Sequence, residues 1–211
     1  MAEVKVPRFM ISAPGSGSGK TTIVCGLLKA LMEKGLSVAA FKSGPDYIDP
    51  MFHSRVIGAK SRNLDLFMLG QATTRYLVAK NARHADVAVF EGAMGFYDGM
   101  GKTTEASAYE LACTCDVPVV LVVNGKGAAL SIAATIKGFK EFRGDSHIVG
   151  AILNNVNPMS YLFYKDVIER ETGVKLLGYF PVMQDCNFES RHLGLVTAEE
   201  IGDLQNIVAK L

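Results

Sequence analysis

The sequence predicts an α/β fold built on a doubly wound, mostly parallel sheet, and three observations carry that expectation. Six strand-length apolar runs, at 9–12, 38–41, 87–90, 117–123, 148–153 and 176–180, are nearly continuous in hydrophobicity. Strands that alternate along one face read differently; continuous runs suit parallel strands buried on both faces. Segments of helical period at 21–34, 73–82, 105–115, 128–142 and 159–172 separate the runs. Strand–helix alternation means βαβ units with right-handed crossovers. The third observation is what joins the first run to the first helix: Ala13-Pro14-Gly15-Ser16-Gly17-Ser18-Gly19-Lys20-Thr21-Thr22.

That junction is a phosphate-cradling loop in the context such a loop needs. Glycines let backbone N–H groups turn onto phosphate oxygens, and a helix N-terminus adds partial positive charge. Gly15, Ser16, Gly17, Ser18, Gly19 and Thr22 form the cradle. Lys20 reaches the β/γ-phosphates of a nucleoside triphosphate, and the Thr21 hydroxyl is placed to ligate Mg²⁺. The usual pattern has glycine at position 14, where this chain has Pro14. That departure sets it apart from ordinary P-loop families without removing the phosphate site.

In open sheets of this kind, ligands sit beyond the carboxyl ends of the strands, so the loops after each run carry the chemistry. After the second run comes Lys42-Ser43-Gly44-Pro45-Asp46-Tyr47-Ile48-Asp49. Gly-Pro makes it a turn, but a turn does not require a lysine followed by two carboxylates three residues apart. Asp46 and Asp49 are candidate Mg²⁺ ligands, direct or through water, because Mg²⁺ takes few carboxylates beside phosphate and water oxygens. Lys42 is placed to neutralise a phosphoryl group in transfer or to hold a substrate carboxylate. His53 either caps or packs.

The third run ends in Glu91-Gly92-Ala93-Met94-Gly95-Phe96-Tyr97-Asp98-Gly99. An acid after four apolar residues lies beside the phosphate loop and completes a metal shell. Glu91 is therefore a further candidate ligand; Asp98 is either a catalytic acid or part of a tight turn. The neighbouring glycines allow a ligand to approach the backbone. Ser61-Arg62-Asn63-Leu64-Asp65 reads as a helix N-terminus with a solvated charged face. Asn124-Gly125-Lys126-Gly127 leads into a small-residue helix that offers a second anion-facing start. Asn154-Asn155 either reads an adenine edge through paired amide groups or makes a turn, and Gly178-Tyr179-Phe180-Pro181 either walls the base or turns the chain.

Composition narrows the class. With 211 residues, 49% of them hydrophobic, the chain most simply forms one domain spanning 1–211. A net charge of +1 and no Lys/Arg-rich run give no footprint for nucleic acid or an acidic membrane surface. The apolar stretches are strand-sized, and the N-terminus lacks a signal-peptide core, so a cytoplasmic protein is expected. Cys25, Cys113, Cys115 and Cys186 suggest no disulfide framework, and Cys113 and Cys115 suit buried free thiols. The segment 197–211 reads as a packing helix.

Taken together, the motifs resemble the synthetase domain of the cobyrinate a,c-diamide synthase family, amidoligases that use ATP to convert corrin carboxylates to amides. The match is spread over SGSGKTT at 16–22, FKSGPDYIDPMFH at 41–53, SRNLD at 61–65, EGAMGFYDG at 91–99 and RHLGL at 191–195. The fold class is shared with dethiobiotin synthetase, which lacks these longer motifs. The resemblance implies ATP and Mg²⁺ at Lys20, Thr21, Asp46, Asp49 and Glu91, with Lys42 and Asp98 in the catalytic set. It makes Asp98, Arg62, Asn63 and Asp65 candidates for the metal or corrin side, with Tyr47 on the substrate, and Asn155 with Pro181 candidates for the adenine pocket. A tetrapyrrole carboxylate, a glutaminase domain or subunit and a second copy of the chain are the partners it implies. Family members normally continue into a glutaminase domain, which is expected to be absent from these 211 residues. A nickel-sirohydrochlorin diamidase would look much the same. A partitioning-type ATPase switch carries a lysine early in the loop, where this chain has Gly15.

Overall fold

A computed structural model describes residues 5–183 and Asn206. Cys186, the 191–195 motif and all of the expected helix 197–211 except Asn206 lie outside the described residues. Seven strands alternate with helices: β1 (Arg8–Ser12), α1 (Lys20–Glu33), β2 (Val38–Ser43), α2 (Ile48–Met51), β3 (Lys60–Leu64), α3 (Leu66–Ala82), β4 (Val87–Glu91), α4 (Ala108–Cys115), β5 (Val119–Asn124), α5 (Ser131–Glu141), β6 (Ile148–Asn154), α6 (Pro158–Thr172) and β7 (Lys175–Phe180). A π-helical turn, Phe52–Ile57, follows α2 directly. The chain divides into two compact units, one built on Thr21–Glu91 and the other on Phe9–Lys20 with Gly92–Val182.

In the first unit β2 lies between β3 and β4, parallel to both. Val87–Glu91 is buried throughout, as its continuous apolar run requires. Phe41 and Phe90 are register partners whose rings stand 4.9 Å apart. Register also sets the chemistry: Lys42 is the partner of Glu91 on one side and of Asn63 on the other. Cα partners in parallel strands project to the same face, so the lysine and the acid are placed together by the sheet itself.

In the second unit β1, β5, β6 and β7 are parallel neighbours in that order. Its core is the buried β5 with Met10, Ile11, Leu111, Ile136 and Leu153. An aromatic group of Phe96, Tyr97 and Tyr109 packs beside it, and the Tyr97 hydroxyl donates to the Phe139 carbonyl at 2.6 Å. Helix α6 starts at the Asn157 cap with Pro158 in its first turn and stops at left-handed Gly173.

Two sequence expectations change. Six strands were expected; Lys60–Leu64 adds a seventh, so Ser61, Arg62, Asn63 and Leu64 belong to a strand and not to a helix start. Only Asp65 keeps the capping role: its carboxylate accepts from the Phe67 and Met68 amides, and α3 runs from Leu66, earlier than the expected 73. Cys113 and Cys115 are half-buried, not buried. Among the described residues no helix is long and apolar enough to cross a membrane.

Candidate active site

In the first unit, three carboxylates converge on one buried ammonium. Lys42 Nζ stands 2.5 Å from Asp49 Oδ2, 3.2 Å from Glu91 Oε1 and 3.7 Å from Asp46 Oδ2. Lys42, Asp49 and Glu91 are each at most 3% exposed. The Thr21 hydroxyl, next after Lys20 in the chain, lies 2.7 Å from Glu91 Oε1 and 3.4 Å from Asp49 Oδ2. Asp46 is held by its own turn, accepting from the Ile48 and Asp49 amides. On the far side of Glu91, His53 Nε2 faces Oε2 at 3.0 Å. The other ring nitrogen, Nδ1, lies 3.1 Å from the Ser61 hydroxyl.

Burial and charge divide the two inner acids. Burial pushes Asp49 up, and Glu91 nearby adds to this, so its carboxyl titrates at about 6 despite Lys42. Burial would raise Glu91 too, but Lys42, His53 and Thr21 together hold it well below the usual carboxylate range. Burial opposes the charge on Lys42, yet Glu91 and Asp49 outweigh it and raise its pKa. Glu91 is thus fixed as an anion, Lys42 as a cation, and Asp49 is the member that changes charge most readily.

In the second unit, the glycine-rich loop folds around the end of Lys20. Its ammonium donates to the carbonyls of Gly15 at 3.0 Å and Met94 at 2.7 Å. Met94 holds a left-handed backbone (φ 51), uncommon outside glycine and frequent at functional sites. Ser18 donates to Gly15 O, and Asn154 donates to Ser18 O at 3.0 Å. At Gly19 (φ +90) a Cβ would collide with the Asn154 amide. Ser16 and Gly17 are exposed, while Gly15, Ser18, Thr21 and Thr22 are half-buried.

Asn154 has a loop-holding role that the sequence reading did not assign to it. It clamps the loop, whereas its neighbour Asn155 donates to Asn124 Oδ1 at 3.1 Å. The only sequence signal was its place at the end of an apolar run, shared with Asn155. Pro181 is exposed. Asp98 is exposed, and its carboxylate accepts from the Gly95 amide at 2.9 Å, a contact made within its own turn. Gly95 is required by close approach of Asp98 and the Pro14 carbonyl, its own chain and not a ligand. Helix α5 begins at Ser131 with no side-chain cap, three residues past the expected start at 128.

Beside the charged cluster, within the first unit, lies a cleft of about 600 Å³. Tyr47, Pro50, Met51, Met68 and Leu69 give it apolar walls, and Asp46, Ser54, Arg55, Ser61, Asn63 and Asp65 contribute polar groups. Three of the four residues expected on the substrate side, Tyr47, Asn63 and Asp65, line it. Arg62 does not: it is exposed and donates to the Ser61 carbonyl. Asn63 braces the cleft wall by donating to the carbonyls of Gly44 and Asp46.

The sequence matches the CobQ/CobB/MinD/ParA nucleotide binding domain family over residues 9–195. Among curated relatives, the cobyrinate a,c-diamide synthase of Thermoplasma volcanium is 43% identical over 99% of this chain and 46% of its own length. That of Salmonella typhimurium is 42% identical over 91% of the chain and 42% of its own length. The chain thus spans about half the length of the curated relatives it matches. Among solved structures, chloroplast FtsY from Physcomitrella patens aligns at a TM-score of 0.63 over 98% of this chain and 66% of its own, with 12% identity. Cell division protein ftsY from Thermotoga maritima aligns at 0.60 over 83% and 61%, with 18% identity. At such identities these two establish the fold alone. The strand-end loops, the glycine-rich cradle and the family match agree: this chain belongs to the CobQ/CobB/MinD/ParA nucleotide binding domain family.

Proposed function

We propose that the chain is the ATP-dependent synthetase part of an amidoligase that converts the a and c carboxylates of cobyrinate, or a close corrin relative, to amides. The observation that carries this reading is the group of Lys42 with Asp46, Asp49 and Glu91 at parallel strand ends, joined by the hydroxyl of Thr21, the residue after Lys20. The names of the curated relatives supply the substrate class.

A carboxylate resists ammonia because oxide is a poor leaving group. In the proposed reaction the carboxylate oxygen attacks the γ-phosphorus of ATP, the bond to the bridging oxygen breaks, and ADP leaves. Ammonia then adds to the acyl phosphate, inorganic phosphate departs with the bonding pair, and a proton is lost to give the amide. No protein nucleophile is needed; the protein positions the reactants and stabilises charge. Lys20 faces the β/γ-phosphates, and Lys42 balances charge on the transferring group or the attacking carboxylate.

The donor set suits Mg²⁺: Thr21, Asp49, Glu91 and Asp46 offer oxygen only. Among the described residues no three acidic, His or Cys side chains form a ready metal cage, which fits an ion held partly by phosphate and water oxygens. Mg²⁺ bound there would neutralise phosphate charge. His53 fixes the outer oxygen of Glu91. Tyr47 faces the substrate in the cleft, where Asn63 and Asp65 shape the wall; Asn155 and Pro181 stand at the adenine. Ammonia is supplied from glutamine by a glutaminase domain or subunit, in the cytoplasm. The test is ADP formation with Mg²⁺, ammonium and either cobyrinate or diaminopelargonate. Stimulation by cobyrinate with amide formation is expected; stimulation by diaminopelargonate alone overturns the reading.

A further inference from the structure

We infer that Arg55 anchors a carboxylate of the substrate other than the one being amidated, and so sets which edge of a flat polycarboxylate macrocycle enters the cleft. This rests on the proposed function and deepens it. The cleft has a volume in the range of small-molecule sites and apolar walls suited to a ring face. Most of its polar lining is already committed to the fold. Asp65 caps α3, Asn63 bonds two carbonyls, Asp46 closes its turn beside Lys42, and Ser61 faces His53.

Arg55 differs from all of these. Among the described residues it is the one cation lining the cleft, it is exposed, and its guanidinium makes no hydrogen bond or ion pair with any of them. A cleft with apolar walls and a free planar fork of donors selects an amphiphilic anion, and a carboxylate matches that fork with two parallel bonds. The left-handed Gly58 that ends the π-helical turn holds this segment in place, the Gly58 amide bonding back to His53 O. One segment therefore carries both His53, against Glu91, and Arg55, in the cleft. Asp46 borders both the charged cluster and the cleft, so a ligand gripped by Arg55 has its other edge towards Lys42.

The test is equilibrium dialysis of the 211-residue chain with cobyrinate, followed by the absorbance of the macrocycle, for wild type, Arg55→Ala, Arg55→Lys and, as a charge control on the far end of α3, Arg83→Ala. Arg55→Ala should weaken cobyrinate binding about tenfold or more, with Mg²⁺–ATP affinity unchanged. Arg55→Lys should recover only part of the loss, and Arg83→Ala none of it should show. The fully esterified macrocycle, which has no carboxylate, should bind wild type and Arg55→Ala alike. Equal cobyrinate binding by wild type and Arg55→Ala overturns the assignment of Arg55 alone. Failure of the wild type to bind cobyrinate overturns the proposed function and this inference with it.

Discussion

In the proposed Mg²⁺ site, Asp49 is the side chain whose protonation state would matter most. Its pKa of about 6 lies above the ordinary 3.8, so between these values the folded chain holds a proton that the unfolded chain does not. Stability from this group is therefore present at low pH and lost as the pH rises through that window. For Mg²⁺ the sign reverses: below about 6 the ion must displace a proton. Calorimetric titration of Mg²⁺ with ATP should show affinity falling as pH drops through 6, and Asp49→Asn should weaken binding and flatten that slope. Lys20→Ala should abolish nucleotide turnover while the chain still folds, at a somewhat lower melting temperature because the Gly15 and Met94 carbonyls lose a donor. His53→Ala, which frees one oxygen of Glu91, should cost about 10- to 100-fold in Mg²⁺ affinity, read in the same titration. These acids were legible in the sequence because strand ends are where α/β sheets place chemistry. The clamp that Asn154 puts on the glycine-rich loop was not, because it is a hydrogen bond between residues far apart in the chain that no spacing rule encodes.

Strand β3 shows what an element needs in order to be read. Lys60–Leu64 is polar and short, and only Ser61 and Leu64 are buried. It lacks the apolar run that announces the other strands, and its pairing with β2 is a tertiary gain invisible to local pattern. Helix α3 was legible only in its second half, because Gly70, at a non-helical φ of 67, interrupts the period within it. Asp65→Ala should lower stability by about 1 kcal/mol through loss of the cap, measurable by urea unfolding. Gly19→Ala should do more than that: it forces a side chain into a left-handed backbone and against Asn154, so both stability and ATP affinity should fall.

At the scale of the molecule, the parallel order was readable from six buried runs, whereas the grouping of Thr21–Glu91 apart from the rest follows from contacts and leaves no mark in composition. If free ammonia is the amidating species, the rate of the 211-residue chain with ammonium salts should rise with pH as the un-ionised fraction grows, at fixed saturating ATP. A pH-independent rate would show that ammonia addition does not limit turnover. The buried ammonium has a further consequence for how the protein matures. Because Lys42 lies among Asp49, Glu91 and Asp46, the polypeptide carries its own placeholder counter-ion. Folding and magnesium loading are then separable events, unlike those of small domains that are unfolded without their metal. In EDTA the chain should still unfold in one cooperative thermal transition; absence of such a transition until Mg²⁺ is added would overturn this. On the proposed reading, a newly made chain folds first and meets its cation afterwards.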